Sequence, residues 1–469
     1  MNISTTDPST SSEQHKIDGW RATRLIFTLI VATVTFQLTA SMVTPALPQM
    51  AAAFGEGPAG AAPLQSMFFL SAAIAVPVFG RWSDFIGRRA AMLAALGTVV
   101  AGTILCIVAP TLPLLVTGRI LQGAGGAMFT LAYIVLNENL NTRVFGVSLG
   151  IVAAISGGVG GLDGFAGGLL TEAYGYKSIF VVVLVVAAIA AVCILKVVPQ
   201  GRPLGVSGRM DWWGAGTLSV FLILLTNFVS VGSSAGWTSA VSLALLVGTV
   251  VTFGVFWAVE KRRRHPLIAV SYLRSRQFWP VVATSLLALA GMFAMLNFTV
   301  VVLSQDLQHG FGLNPSLAAL LFLAPPALLG VFTAPLAGWI ADRRGWLLTL
   351  RLGAVFSLVF GIIAAAFSDN LYVAIFAVAA LGISYTGFLF TSLNGLSVVL
   401  SPKEAPAALP GLTGASFGTG AGLGVMLVQP FAAQAATLGY APALWVSVGI
   451  TAAACIVSFL VAAPRGEKF

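Results

Sequence analysis

The chain reads as an all-α integral membrane protein: two six-helix bundles related by pseudo-twofold symmetry, with two further helices inserted between them, fourteen spans in all. Three observations predict this. Of 469 residues, 58% are hydrophobic and only 8% charged, with a mean hydropathy of +0.96, whereas a soluble domain carries roughly 25% charged residues. Apolar runs of about 20 residues, each able to cross roughly 30 Å of hydrocarbon, recur from Leu25 almost to the C-terminus. A charged loop and a glycine-rich span each occur twice at one offset, the mark of an internal duplication. A spanning β-barrel would instead alternate apolar and polar positions over about ten residues, and these runs are apolar all round.

The elements follow in order. Residues 1–24 form a polar cytoplasmic tail, and the first apolar run is of full spanning length, so no cleavable signal peptide is expected. The N-terminal bundle, 25–199, contains runs at Leu25–Ala46, Pro63–Gly80, Ala90–Ala109, Leu112–Leu136, Val144–Leu170 and Ile179–Val198. A linker segment, 200–277, carries Trp212–Val231 and Trp237–Val259, introduced by "GRMDWWGAG" and closed by "EKRRRHPL". The C-terminal bundle and short tail, 278–469, contain Phe278–Leu303, Pro315–Ile340, Leu348–Phe367, Leu371–Leu400, Leu409–Ala433 and Tyr440–Ala463.

Charge sets the orientation. The 24 Lys and Arg outnumber 15 Asp and Glu. With the N-terminus inside, only Lys177 falls in an outer loop and only Arg119 lies deep within a span, leaving 22 (24 − 2) on the inner side. That is a positive-inside pattern, placing both termini in the cytoplasm and the protein in a plasma (inner) membrane. The basic run Lys261–His265 is expected to rest on anionic headgroups, and no nucleic-acid partner is implied. Cys106, Cys193 and Cys455 lie in separate spans and form no disulfide or metal pattern. His15, His265 and His309 lie outside span interiors and away from any acid or cysteine cluster, so neither a metal nor a cofactor is expected. No lysine follows a glycine, so there is no phosphate-binding loop and ATP is not the direct driver. Nothing in the chain suggests an enzyme.

The duplication is specific. "GRWSDFIGRR" (Gly80–Arg89) and "GWIADRRG" (Gly338–Gly345) align with an offset of 258 residues (342 − 84) between Asp84 and Asp342. The same offset carries the glycine-rich fifth run onto "TGASFGTGAGLGVM" (Thr413–Met426). The first loop resembles the signature G-x-x-x-D-R-x-G-R-[RK] of the major facilitator superfamily. Gly80, Asp84, Gly87, Arg88 and Arg89 match, and Phe85 replaces the usual basic residue. With Asp342 and Arg343 in the second copy, the resemblance implies a conformational gate in which acids and arginines at the inner helix ends meet and part.

"LVTGRILQGAGGA" (Leu115–Ala127) resembles the R-x-x-Q-G-x-G motif of proton-coupled exporters in that superfamily, with Arg119, Gln122 and Gly123 at the motif positions. The plan of six, two and six spans is similar to the fourteen-helix drug:proton antiporter branch. In the fifth run, "SGGVGGLDGFAGGLL" occupies the place of that branch's g-x-x-x-G-P-x-x-G-G motif. Gly167 and Gly168 match, while Asp163 and Gly164 replace a glycine and the proline. Gly157 and Gly161, and Gly160, Gly164 and Gly168, recur four residues apart and allow close helix approach. A charge inside a span is costly and marks function by default. Arg119 and Asp163 fall at similar depths, which predicts a switchable pair: Asp163 is charged while bridged to Arg119 and protonated when the cavity rearranges.

The first run ends in A-L-P (Ala46–Pro48), as in the family, and lacks the upstream acid common in exporters of multivalent cations. Gln37, Gln122, Tyr133, Asn297, Tyr385 and Asn394 are the polar residues expected to face a substrate cavity. The function implied is a secondary active, proton-coupled exporter of amphipathic or hydrophobic small molecules, working by alternating access. The alternatives are a proton-coupled uptake symporter of the same fold and a lipid-handling or sensory membrane protein. Its expected partners are a small-molecule substrate, protons and the bilayer. A monomer suffices, because one chain holds both halves of a path.

Overall fold

The computed structural model of the chain describes residues 19–140, 148, 152, 162–200, 210–262, 275, 277–401 and 408–462. The tail to residue 18 with His15, the glycines Gly157, Gly160 and Gly161, the linker 201–209 and the basic run beyond Arg262 with His265 lie outside the described residues. Every regular element among the described residues is helical, the solution an open chain has for satisfying its backbone polar groups in lipid.

In chain order the long helices are α1 (Trp20–Ala52), α2 (Ala62–Ile86), α3 (Arg88–Val108), α4 (Leu112–Asn139), α5 (162–174) and α6 (Lys177–Val197). The inserted pair is α7 (Trp212–Ala235) and α8 (Ala240–Arg262). They are followed by α9 (Trp279–Gln305), α10 (Pro315–Ala341), α11 (Trp346–Ala366), α12 (Leu371–Val399), α13 (Ala408–Ala432) and α14 (Ala441–Ser458). Several begin with proline in the first turn, including α2, α4, α9, α10 and α14, where the missing N–H costs no hydrogen bond. Side-chain caps also start α10, where Asn314 accepts from Leu317 N–H, and α12, where Asn370 accepts from Tyr372 and Val373 N–H.

Twelve helices among the described residues are long and apolar enough to cross a membrane, not the expected fourteen. The two that fall outside this count are α5, whose start lies beyond the described residues, and α13, the 25-residue helix Ala408–Ala432.

The duplication is visible in backbone geometry. Gly87 ends α2 at φ 88° and Gly345 ends α10 at φ 99°, a region of φ that suits only glycine. They stand at the offset that relates Asp84 to Asp342. Pro77 within α2 and Pro335 within α10 stand at it too.

Two seams join the halves. Along α2 and α13, a Cβ at Gly418 would lie 2.4 Å from the Phe69 carbonyl oxygen, and one at Gly422 would lie 2.9 Å from that of Ser66. The helices therefore meet backbone to backbone, as small residues permit. Along α5 and α10, Gly168 faces Pro315 and Ser316 in the same way. The inserted α7 lies over the first seam: Leu218 and Leu222 pack with Ala73 of α2, and Val229 packs with Leu70 of α2 and Met426 of α13. Outside it, α8 exposes Val241, Val247, Val250 and Val251, a surface suited to lipid.

Candidate functional site

Between the halves lies a cavity of about 220 Å³, lined by residues of α1, α9, α10, α12 and α13. Four of those walls depart from regular α-helix where they meet it. Leu38–Met42 of α1, Leu289–Phe293 and Met295–Thr299 of α9, Ala319–Leu323 of α10 and Gly382–Phe390 of α12 are π-helical turns. Such turns are frequent at functional sites, because the wider turn swings side chains out of the regular helical register.

Of the six polar residues expected in the cavity, three line it: Gln37, Asn297 and Tyr385. The amide nitrogens of Gln37 and Asn297 make only long hydrogen bonds, 3.3 Å to Ser41 Oγ and 3.4 Å to the Phe293 carbonyl, so both carboxamides can turn to an occupant. The other three are placed elsewhere. Gln122 is fully buried between α3 and α4, where its Nε2 donates to Thr103 Oγ1 at 2.9 Å and its Oε1 accepts from Arg119. Tyr133 turns to Phe129 within the N-terminal core, and Asn394 is exposed on α12. Phenyl rings complete the lining. Phe293 and Phe417 are 5.7 Å apart, Phe69 is 4.8 Å from Phe293, and Phe390 is 6.2 Å from Phe417.

Arg119 and Asp163 are both buried, but they do not form an ion pair. Arg119 is fully buried, donates Nε–H to the Leu64 carbonyl at 3.0 Å, and donates Nη1–H to the Thr39 carbonyl and Gln122 Oε1, each at 2.8 Å. Its guanidinium also sits 4.2 Å from the centroid of the Phe68 ring, a cation–π contact that gains strength when desolvated. Asp163 is 5% exposed and accepts a hydrogen bond from Ser41 Oγ, while its Oδ1 has no partner. The π turn of α1 stands between the charges. Thr39 serves Arg119 and Ser41 serves Asp163.

The gate residues fall at the end of the bundle where the chain begins. Asp84 pairs with Arg81 and Arg88, and Arg88 also reaches Glu138 Oε1 of α4 at 2.8 Å. Glu138 was not anticipated, although it is the only acid near the end of the fourth run. Arg89 follows Arg88 in the first turn of α3, and Arg343 stacks on Trp339 at 4.1 Å. Asp342 lies in the last turn of α10, whose helix runs on to Arg344, and Gly80 lies within α2.

At the opposite, distal end the halves are joined by hydrogen bonds. Glu172 of α5 accepts from Asn314 Nδ2 at 3.1 Å and from Ser316 Oγ, and Gln305 Nε2 donates to the Pro45 carbonyl at 3.0 Å. The structure is closed at the distal end.

Just beyond α9, Asp306 accepts from Tyr440 OH at 2.7 Å and lies 3.9 Å from His309 Nδ1, a pairing the sequence did not suggest. Burial works against ionising Asp306, but hydrogen bonds from Gln308 N–H, Tyr440 OH and His309 N–H outweigh it and hold the carboxyl below its usual range. A depressed carboxyl stabilises the fold above its unfolded value, and that stability is lost as pH falls through the folded value, here below about pH 4. Tyr440→Phe removes one of these donors and is expected to shift acid unfolding to higher pH, as thermal unfolding at stepped pH would show.

The family model described as Major Facilitator Superfamily matches residues 29–425. The uridine/deoxyuridine transporter of Lactococcus lactis subsp. cremoris (strain MG1363) is 34% identical over 86% of this chain and 86% of its own length. The multidrug resistance protein Stp of Mycobacterium tuberculosis (strain CDC 1551 / Oshkosh) is 26% identical over 87% of this chain and 74% of its own. The human organic anion transporter MFSD10 (TETRAN) shares the fold, with a TM-score of 0.65 at 15% identity over 94% of this chain and 99% of that one.

Proposed function

The chain belongs to the Major Facilitator Superfamily, and from that premise we propose that it is a proton-coupled secondary transporter of small uncharged molecules, pyrimidine nucleosides first among them. The observation that carries this reading is the cavity itself. Its lining joins two adaptable carboxamides, Gln37 and Asn297, to a cluster of phenyl rings, and a buried acid stands one hydrogen bond away through Ser41. Carboxamides match the donor–acceptor edge of a nucleobase, and aromatic rings offer its face a stacking partner. The relative at 34% identity, named for uridine, supports that substrate class. An unpaired carboxyl oxygen beside a cavity is a natural proton acceptor, which assigns the coupling site to Asp163, with Arg119 fixing the neighbouring turn of α1.

The rest of the reading follows the sequence. α5 and α13 cross the membrane with the twelve counted helices, giving fourteen spans. The bundles 25–199 and 278–469 rock about the cavity, and 200–277 braces one seam. The termini lie in the cytoplasm of a cell bounded by a plasma membrane, and the chain acts as a monomer. Gly80, Asp84, Gly87, Arg88, Arg89, Asp342 and Arg343 form the cytoplasmic gate. A second reading, export of amphipathic molecules, is favoured by the phenyl-lined wall and by the resemblance to Stp.

The test is uptake of labelled uridine into proteoliposomes under an imposed pH gradient. The wild type is expected to accumulate uridine, and Asp163→Asn to lose accumulation. A wild type that ignores uridine but extrudes a lipophilic dye would establish the second reading instead.

A further inference from the structure

Ser41 Oγ has one hydrogen and two acceptors in reach, Asp163 Oδ2 and the Gln37 carbonyl oxygen at 2.8 Å. It can serve only one of them at a time. Into the same oxygen Gln37 Nε2 donates at 3.3 Å. Gln37 and Ser41 both line the cavity, one turn apart on α1, while Asp163 lies behind them with its second oxygen unpartnered. The three groups form a line from cavity to buried acid.

The charged surroundings of Asp163 are sparse. On α1, the charged residues are Arg21 and Arg24 at the far end of the helix. On α10, which meets α5 at Leu323 and Pro315, no titratable residue occurs from Pro315 to Ile340. Arg119 of α4 approaches through Thr39, Lys177 and Lys196 stand at the ends of α6, and Glu172 lies at the distal end of α5.

We propose that Ser41 is the positioning residue that makes substrate and proton bind together, so that the protein is a symporter. In the empty carrier with Asp163 ionised, the Gln37 amide polarises the Ser41 hydroxyl, which strengthens its hydrogen bond to the carboxylate, because bonds in a chain reinforce one another. A substrate that takes the Gln37 carboxamide removes that donor and weakens the hold on the charged acid. Asp163 then accepts a proton from cavity water. The Ser41 hydrogen turns to the Gln37 carbonyl, already within reach, and the new carboxyl O–H donates to Ser41 Oγ. Linkage makes the effect reciprocal, with the proton strengthening substrate binding by the same factor. An antiporter needs the opposite sign.

The inference rests on Asp163 as the proton site and on uridine as an occupant, and the experiment separates the two levels. Uridine is added to the purified full chain in weakly buffered detergent with a pH indicator, and protons taken up per uridine bound are read at saturation, where affinity does not enter. The wild type is expected to take up protons. Ser41→Ala should lower the ratio at least several-fold, and Ser41→Thr, which keeps the hydroxyl, should restore it. If Ser41→Ala does not fold, Gln37→Met carries the test with the same expected loss. Proton release by the wild type, or a ratio unchanged in Ser41→Ala or Gln37→Met, overturns the proposal while leaving Asp163 as the proton site. Uptake that survives Asp163→Asn, or a wild type that binds no uridine, overturns the underlying reading and this inference with it.

Discussion

Replacing Arg119 by alanine is expected to destabilise the N-terminal half by at least about 1–3 kcal/mol, the cost of leaving a buried acceptor unmet, and to abolish transport. The guanidinium ties three helices together: it reaches Leu64 of α2 and Thr39 of α1 from its own helix α4, and it orients Gln122, which reaches Thr103 of α3. Removing it leaves acceptors without this donor in a dry interior, where an unmet polar group costs about 1–3 kcal/mol. It also exposes a cavity beside the Phe68 ring. Arg119→Lys should recover little, since an ammonium lacks the planar fork that serves separated acceptors and stacks on a ring. Thermal unfolding in detergent reads the first effect and proteoliposome flux the second. A lysine variant with wild-type stability would show that the charge alone is needed and that the geometry is not.

The sequence revealed what lies along the helix axis and concealed what lies around it. Hydropathy marks where a helix enters and leaves lipid, so α1 to α4 and α9 to α12 appear near their expected places. The repeat was legible because turn chemistry leaves residues behind, and Gly87 and Gly345 take positive φ at matching positions. Depth placed Arg119 and Asp163 on one level but could not say which way each side chain points. The π turn Leu38–Met42 stands between them and takes a hydrogen bond from one and gives one to the other. Nothing in "LTASM" announces such a turn, so Thr39 and Ser41 went unseen. Azimuth also sorted the polar candidates: Gln37, Asn297 and Tyr385 line the cavity, while Gln122 is buried between helices, Tyr133 packs on the N-terminal core and Asn394 is exposed. Gly160, Gly164 and Gly168 of the fifth run were read as a close-packing face, and its described member Gly168 leads to the sharpest conformational test the molecule offers.

Gly168→Val is expected to hold the protein open at its distal end, with cyclic transport lost and the fold retained. A Cβ at residue 168 would lie 2.7 Å from the Pro315 carbonyl oxygen and 2.8 Å from Ser316 Cα. These are backbone atoms of α10 that cannot swing aside as a side chain can. The contact belongs to the distal closure, beside the hydrogen bonds of Glu172 to Asn314 and Ser316. Overpacking such a contact costs about 1–3 kcal/mol, and only the distally closed state bears it. A cost of that size shifts the balance between the two end states about 5- to 150-fold, enough to displace a carrier that must visit both. Gly167→Val meets a different wall, since a Cβ there would overlap the Met42 carbonyl of α1 within the same half. That variant should disturb both states alike and lower stability instead. Single cysteines introduced beside Glu172 would report the difference by their labelling from the distal side. Labelling should rise in Gly168→Val and stay near the parent level in Gly167→Val, and equal labelling in the two would show that α5 and α10 do not separate when the distal end opens.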